Sequence, residues 1–216
     1  PQYKNIAEAD WSETWKANYQ PIRVGRRLMI VPAWLNPPLA PDDVPIRLDP
    51  GMAFGTGTHP TTQLCLAAIE RHSKPGDALL DLGAGSGILA IAAAKLGSGP
   101  VRALDIDPEA VQVARENAAA NGVAEMINVE EGSLAELLAE GYSAPLVVAN
   151  ILARVIVELL NSGLAQTVAP GGLLVLSGIL ESQAYEVIAA LKLHGLELVA
   201  QEQMEDWVAI IGRRAT

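Results

Sequence analysis

The sequence has very few of the residues that build disulfides and metal sites. Its 216 residues include one cysteine, Cys65, and three histidines, His59, His72 and His194. A single cysteine excludes an internal disulfide framework and a zinc site built from cysteines, and we expect Cys65 to be a small buried hydrophobe. Because the histidines lack the spacing of known metal motifs, no structural or catalytic metal is predicted.

Runs of basic residues and long apolar runs are also missing. Fifteen Lys and Arg residues stand against 25 Asp and Glu, which gives a formal net charge of −10. A chain this acidic is a poor candidate for direct nucleic-acid binding, and its charge suits a basic substrate. The most apolar stretch, 144–160, is interrupted by Asn150, Arg154 and Glu158, so no membrane span is expected. With no signal peptide pattern at the start, these absences predict a cytoplasmic protein.

The pattern from about residue 79 onward predicts an α/β fold. Apolar runs at 78–81, 101–105, 126–129, 145–150 and 173–177 alternate with helical patterns at 87–96, 108–120, 134–139, 152–168 and 182–193. Alternation of this kind favours βαβ units and a parallel sheet. Two further runs, 196–201 and 208–211, are separated by a short polar turn and should pair antiparallel. We therefore predict a doubly wound, mostly parallel sheet with an antiparallel C-terminal edge strand.

The first 47 residues have a different composition from the rest. Three of the four tryptophans lie here, and prolines punctuate the segment between 32 and 45. Trp11 and Trp15 have the spacing of one face of a short helix, and residues 27–31 resemble a strand. The sequence thus predicts an N-terminal linker or extension at 1–47 and a cofactor-binding domain at 48–216.

A glycine-rich loop follows the first strand of the predicted sheet. The segment Asp-Leu-Gly-Ala-Gly-Ser-Gly at 81–87 opens a helix, and Gly83 and Gly85 permit a tight turn and close approach of a ligand to the backbone. Asp105 ends the next strand, where a carboxylate can accept both hydroxyls of an adenosine ribose. A nucleoside cofactor is therefore predicted.

The charge at Asp81 bears on the identity of this cofactor. A carboxylate directly before the loop opposes a pyrophosphate, and the spacing differs from the dinucleotide pattern G-x-G-x-x-G. The negative charge of Asp81 suits S-adenosylmethionine, which carries a sulfonium and an ammonium group. The alternative interpretation is a glycine-rich turn that binds nothing or another nucleotide. A P-loop is excluded because its motif does not occur.

Two further segments contain candidate site residues. The block Gly-Thr-Gly-Thr-His-Pro-Thr-Thr at 55–62 combines a flexible loop with a helix start at Pro60, and Thr58 is predicted to cap that helix. Free N–H groups there can receive a carboxylate, such as the one on the methionine tail. Asn150 ends an apolar strand and is expected on the same rim as Gly83 and Asp105, although a helix cap or turn is an equally open role.

These motifs resemble the ribosomal protein L11 methyltransferase family (PrmA). The resemblance rests on residues 49–62, 81–87, 105–108, 116–122, 149–152 and 170–180, with 10–16 matching the family's linker. It implies a class I S-adenosylmethionine-dependent methyltransferase. It also implies which residues contact the cofactor: Thr62, Gly83, Asp105 and Asn150, with Phe54 and His59 close to it.

The resemblance further implies a substrate, a large-subunit ribosomal protein methylated on its N-terminal α-amino group and on lysine ε-amino groups. The family carries a small recognition domain before the linker, and this sequence lacks it, so we expect substrate recruitment to suffer rather than cofactor binding. Asn150 is followed by Ile-Leu-Ala rather than Pro-Pro-aromatic, which disfavours a glutamine or nucleobase target.

The chemistry expected is in-line transfer of a methyl group to a neutral amine. Asn150 can accept an N–H of that amine and orient its lone pair, and His59 is the one histidine in a suitable loop for a general base. Two alternatives stay open: a small-molecule or other-protein methyltransferase with the same core, and a non-catalytic module that only binds S-adenosylmethionine. A dehydrogenase is disfavoured by Asp81 and by the glycine spacing.

Overall fold

A computed structural model describes residues 20–49 and 56–216 of the chain. The strands in these segments are β1 (Ile22–Val24), β2 (Leu28–Pro32), β3 (Val44–Leu48), β4 (Leu79–Leu82), β5 (Val101–Asp105), β6 (Ile127–Glu131), β7 (Ala144–Asn150), β8 (Val168–Leu180), β9 (Leu196–Met204) and β10 (Trp207–Arg214). The helices are α1 (Pro60–His72), α2 (Ile88–Lys95), α3 (Pro108–Ala120), α4 (Leu134–Glu140), α5 (Ala153–Asn161) and α6 (Ala184–Leu193).

The main sheet has the strand order β6-β5-β4-β7-β8-β10-β9. Strands β4 to β8 run parallel, whereas β10 pairs antiparallel with both β8 and β9. The predicted fold class is confirmed, with one detail added: the last strand lies inside the sheet and β9 forms the edge. The sequence explains the order, because the apolar run at 208–211 is fully buried while β9 is largely exposed.

Helices cover both faces of this sheet. Apolar residues of α1, α2 and α3 form one buried cluster, and those of α4, α5 and α6 form the other. Residues of β4 alternate between the two clusters, with Leu79 in the first and Leu80 and Leu82 in the second. In a sheet covered on both faces, the loops that follow the carboxyl ends of the parallel strands are where a ligand site is expected.

A small sheet of β1, β2 and β3 packs against the first cluster through Leu28, Ile30 and Ile46. Two polar side chains attach it to the main domain. The carboxylate of Glu70 accepts bonds from the backbone N–H groups of Arg26 and Arg27, and Asn121 bonds both the N–H and the carbonyl of Arg47. The domain boundary at 47/48 stays a prediction, and β3 crosses it.

Several elements of the structure differ from those predicted. The helix predicted at 152–168 ends at Asn161, because Gly163 adopts a φ of 106° and a 3-10 turn leads directly into β8. Strand β8 is much longer than the predicted 173–177, since it runs through the Pro-Gly-Gly segment at 170–172 that reads as a turn. Strand β3 contains Pro45 and was not expected. The helix predicted around Trp11 and Trp15 lies outside the described residues.

Candidate active site

A cavity of about 770 Å³ opens beyond the carboxyl ends of β4, β5 and β7. The chain leaves β4 toward β5 on one side and reaches β7 on the other, so the cavity lies at the point where the strand order reverses. Its volume is within the range of small-molecule sites. Of the predicted site residues, His59, Gly83, Gly85, Asp105 and Asn150 line it.

The glycine loop and Asp105 form one hydrogen-bonded unit. Gly83 and Gly85 have φ values of 77° and 54°, which side-chain-bearing residues adopt at a cost. The carboxylate of Asp105 accepts the N–H of Gly85 at 2.8 Å and that of Asp107 at 3.1 Å. These two bonds fix the carboxylate at the cavity wall and leave lone pairs on both oxygens for a ligand's hydroxyl groups.

Asp81 lies beneath this loop and does not line the cavity in the described structure. Its side chain is fully buried, and Oδ2 accepts the N–H of Ala90 in the first turn of α2 at 3.1 Å. Its Oδ1 is also buried and has no hydrogen-bond partner. Burial in apolar surroundings raises the pKa of Asp81 to about 7, and the nearby charge of Asp105 adds to this. The predicted part of Asp81 in cofactor binding stays a prediction, and the described structure places its side chain outside the cavity wall.

Asn150 reaches the cavity from the end of β7 and is held from behind by Thr62. The Asn150 Nδ2 donates to the Thr62 Oγ1 at 3.3 Å. Thr62 itself is fully buried, while its neighbour Thr61 lines the cavity. The predicted contact of Thr62 with the cofactor therefore stays a prediction, and the structure gives Thr62 a clear second role in orienting the Asn150 amide.

The predicted cap of α1 is wrong by one residue. His59, not Thr58, is the N-cap, and its Nδ1 accepts the N–H of Thr61 at 3.3 Å. Thr58 is exposed, and its backbone carbonyl accepts from Gln63. The same Nδ1 lies 2.8 Å from the Thr61 hydroxyl, so this nitrogen is engaged at the helix start, and the role of His59 as a general base stays a prediction.

Several residues of the cavity were not predicted. Trp207, at the start of β10, contacts the His59 ring edge-on with centroids 4.8 Å apart. Ile106 and Leu152 are 77% and 67% exposed at the rim, and Gly178 completes the floor. An apolar residue one or two positions after a strand-end Asp or Asn is the signal that could have found Ile106 and Leu152. Phe54, also predicted near the cofactor, lies outside the described residues.

Comparisons with known proteins agree with the resemblance. A family model described as "Ribosomal protein L11 methyltransferase (PrmA)" matches residues 1–215. This chain belongs to that family. Curated relatives with the same name include one from Chloroflexus aurantiacus, 46% identical over 99% of this chain and 71% of the relative. Another from Pelobacter propionicus is 48% identical over 100% of this chain and 70% of the relative.

A solved structure supports the same membership. A ribosomal protein L11 methylase from Lactobacillus delbrueckii subsp. bulgaricus has a TM-score of 0.83 and 38% identity, covering 92% of this chain and all of that one. The chain spans about two thirds of the length of the curated PrmA relatives, from 66% to 71% for the first four. The family prediction is thus confirmed, as is the enzyme class, an S-adenosylmethionine-dependent methyltransferase.

The residues of the PrmA-type cavity fit this cofactor on two structural grounds. The Asp105 carboxylate is fixed at the cavity wall and has lone pairs left for hydroxyl groups of a ligand, which fits a ribose. The buried carboxyl group of Asp81, one oxygen of which has no hydrogen-bond partner, lies under the loop, where a cationic ligand would supply an opposite charge. Among the described residues, no group of His, Cys, Asp and Glu is arranged to hold a metal ion. In the same residues no helix is long and apolar enough to cross a bilayer.

Proposed function

We propose that this chain transfers methyl groups from S-adenosylmethionine to amino groups of a large-subunit ribosomal protein. The name of its relatives indicates methylation of ribosomal protein L11 for them. The observation that carries the proposal is the coincidence of two findings. The family match extends over residues 1–215, and the matched motifs converge on one cavity at the reversal of strand order. The cofactor supplies an electrophilic methyl group on its sulfonium.

Different parts of the cavity suit different parts of the cofactor. Asp105 accepts the ribose hydroxyls, and the Gly83–Gly85 turn brings the backbone close to the ligand. Ile106 and the neighbouring apolar side chains of α3 provide a surface for the adenine ring. Thr61 and His59, at the start of α1, also line the cavity. The first N–H groups of this helix, those of Thr61, Thr62 and Gln63, already bond His59, so the predicted binding of a carboxylate by free N–H groups there is not supported. These assignments rest on residue chemistry and position.

The acceptor amine enters on the side of Asn150 and Trp207. A lysine amine with a pKa near 10.4, or an α-amine near 8, must lose its proton before it attacks. The wall here is mainly apolar, which favours the neutral form of an amine. The Asn150 side chain, held by Thr62, can accept an amine N–H and direct the lone pair. We assign no general base and propose that the proton leaves to solvent.

We expect Asn150→Ala to slow methyl transfer more than it weakens cofactor binding. Loss of one orienting hydrogen bond is worth about 1–2 kcal/mol, roughly a 5- to 30-fold fall in rate. Methyl transfer is measured at saturating cofactor, and cofactor affinity by calorimetry. Thr62→Val, which removes only the hydroxyl that holds the amide, should have a smaller effect in the same direction. If the rate of methyl transfer and the affinity for the cofactor fell equally, Asn150 would contact the cofactor without orienting the amine.

The proposed substrate is tested by methyl transfer to purified ribosomal protein L11, with the modified residues located by mass spectrometry. The full-length Chloroflexus aurantiacus relative, of which this chain matches 71%, is assayed in parallel. Holding a folded protein in place needs an interface of about 1,200 Å² or more, and this chain corresponds to only 71% of the relative. We therefore expect it to methylate L11 at least about tenfold more slowly than the full-length relative does. Turnover of small amines without any of L11 would favour a small-molecule methyltransferase. Cofactor binding without turnover of either would favour a binding module.

A further inference from the structure

The carboxyl group of Asp81 does not line the cavity, and the proposed function leaves it unexplained. It is fully buried in the middle of the sheet, and one of its oxygens has no hydrogen-bond partner. A buried carboxylate without an opposite charge is costly, so native structures rarely retain one without a compensating interaction. A neutral residue would fill the same place in β4 at lower cost.

Nothing in the described structure neutralises this group. The titratable groups that face Asp81 are Asp105 at the end of β5 and the thiol of Cys65 on α1. The first is negatively charged, and burial raises the pKa of the second, so that it stays neutral. Within residues 20–49 and 56–216, the N–H of Ala90 is the one hydrogen-bond donor to the carboxylate. The ionised form is therefore disfavoured while the cavity holds no cation.

The cavity is lined by the residues that follow Asp81 in the chain. Leu82 and Gly83, the two residues that follow Asp81, line it, and so does Asp105, whose charge Asp81 already senses. Because the intervening layer is dry protein rather than water, charges interact across it more strongly than in solution. A cation bound against the glycine loop would act on Asp81 in the same way as Asp105 does, with the opposite sign.

We propose that Asp81 is the buried counter-charge for the sulfonium of the cofactor, and that its carboxyl group loses a proton to solvent when S-adenosylmethionine binds. In this step the O–H bond of the Asp81 carboxyl group breaks and the buffer takes the proton. S-adenosylhomocysteine, the product, has a neutral thioether in place of the sulfonium, so Asp81 holds its proton more firmly beside it. Asp81 thus discriminates substrate from product without contacting either. This inference rests on the proposed use of the cavity for the cofactor.

The inference predicts a pH dependence with a defined sign. Since the pKa of Asp81 is raised to about 7, the carboxyl group is largely protonated at pH 5.5 and largely ionised at pH 8. The preference for S-adenosylmethionine over S-adenosylhomocysteine should rise by at most about tenfold per pH unit across this window and then level off. In Asp81→Asn the preference should be lower and independent of pH.

Isothermal titration calorimetry at pH 6.5, in phosphate and in imidazole, counts the protons released on binding. We expect a fraction of a proton for S-adenosylmethionine, clearly less for S-adenosylhomocysteine, and no release attributable to the site in Asp81→Asn. Subtracting the variant from the wild type removes the titration of the ligands' own amino groups. Glu125→Gln, at an exposed position, is the control and should match the wild type.

The folded state of Asp81→Asn is checked by its thermal unfolding without ligand. A group whose pKa is higher in the folded than in the unfolded state loses its stabilising effect as pH rises. The wild type should therefore lose stability between about pH 4 and pH 7 relative to the variant, which should unfold at a higher temperature at pH 8.

Two outcomes overturn the inference while leaving the proposed function intact. One is equal proton release for the two ligands in the wild type, a measurement that needs no variant. The other is unchanged proton release and unchanged ligand preference in Asp81→Asn. A wild type that binds neither ligand would instead contradict the proposed function itself.

Discussion

Asp105→Ala is expected to weaken the binding of S-adenosylmethionine by about 2–4 kcal/mol, or roughly 30- to 1,000-fold. The substitution removes the proposed charged acceptor of two ribose hydroxyl bonds, each worth roughly 1.5–3 kcal/mol, and water recovers part of the loss. It also releases the N–H groups of Gly85 and Asp107 that the carboxylate now holds, so the glycine loop loses its anchor. Calorimetric titration measures the affinity.

Glu131→Gln is the matched control for this substitution. Glu131 pairs with Asp105 in the neighbouring strand and is exposed, but it does not line the cavity. We expect its cofactor affinity to equal that of the wild type. Should Asp105→Ala lower the unfolding temperature while leaving the affinity unchanged, Asp105 would be a structural anchor of the loop rather than a ribose acceptor.

Gly178→Ala is expected to disrupt both the fold and the site. Gly178 has a φ of 85°, and a Cβ there would overlap the carbonyl oxygen of Ile151 and lie 2.7 Å from its carbonyl carbon. The Ile151 side chain in turn lies against Gly83, so a displaced Ile151 pushes on the glycine loop. Backbone strain and overpacking together should cost about 2–5 kcal/mol, a fall of roughly 5–15 °C in Tm.

Gly76→Ala separates the two causes of this loss. Gly76 has nearly the same backbone, with a φ of 84°, but nothing lies within 4 Å of the Cβ that alanine would add. Backbone strain alone should lower the free energy of unfolding of Gly76→Ala by about 1–2 kcal/mol, and its cofactor affinity should be unchanged. If the two variants lose equal stability and both bind normally, close packing of Gly178 on Ile151 is not what shapes the cavity floor.

The fold could be predicted well because apolar runs in a parallel sheet are local signals. Strand β5 and helix α3 begin and end where the sequence indicates, since Asp107 and Pro108 mark the helix start unambiguously. Strand β8 was predicted too short because its pairing with β7 and β10 overrides the turn signal of Pro170 and two glycines. Strand register depends on neighbours that are distant in sequence.

The site could be predicted only in part, for a similar reason. Gly83, Asp105 and Asn150 follow strands whose ends must meet at one edge, so topology alone brings them together. Trp207 lies far along the chain and reaches the cavity only because β10 inserts beside β8. The burial of Asp81 and the capping role of His59 depend on three-dimensional contacts that no motif specifies.

The central claim is that the cavity beyond β4, β5 and β7 binds S-adenosylmethionine through the glycine loop and Asp105. The most direct test is calorimetric titration of the wild-type chain with S-adenosylmethionine, S-adenosylhomocysteine and NAD under identical conditions. We expect saturable binding of both adenosyl ligands at one site per chain and no measurable binding of NAD. Tighter binding of NAD than of S-adenosylmethionine would contradict it.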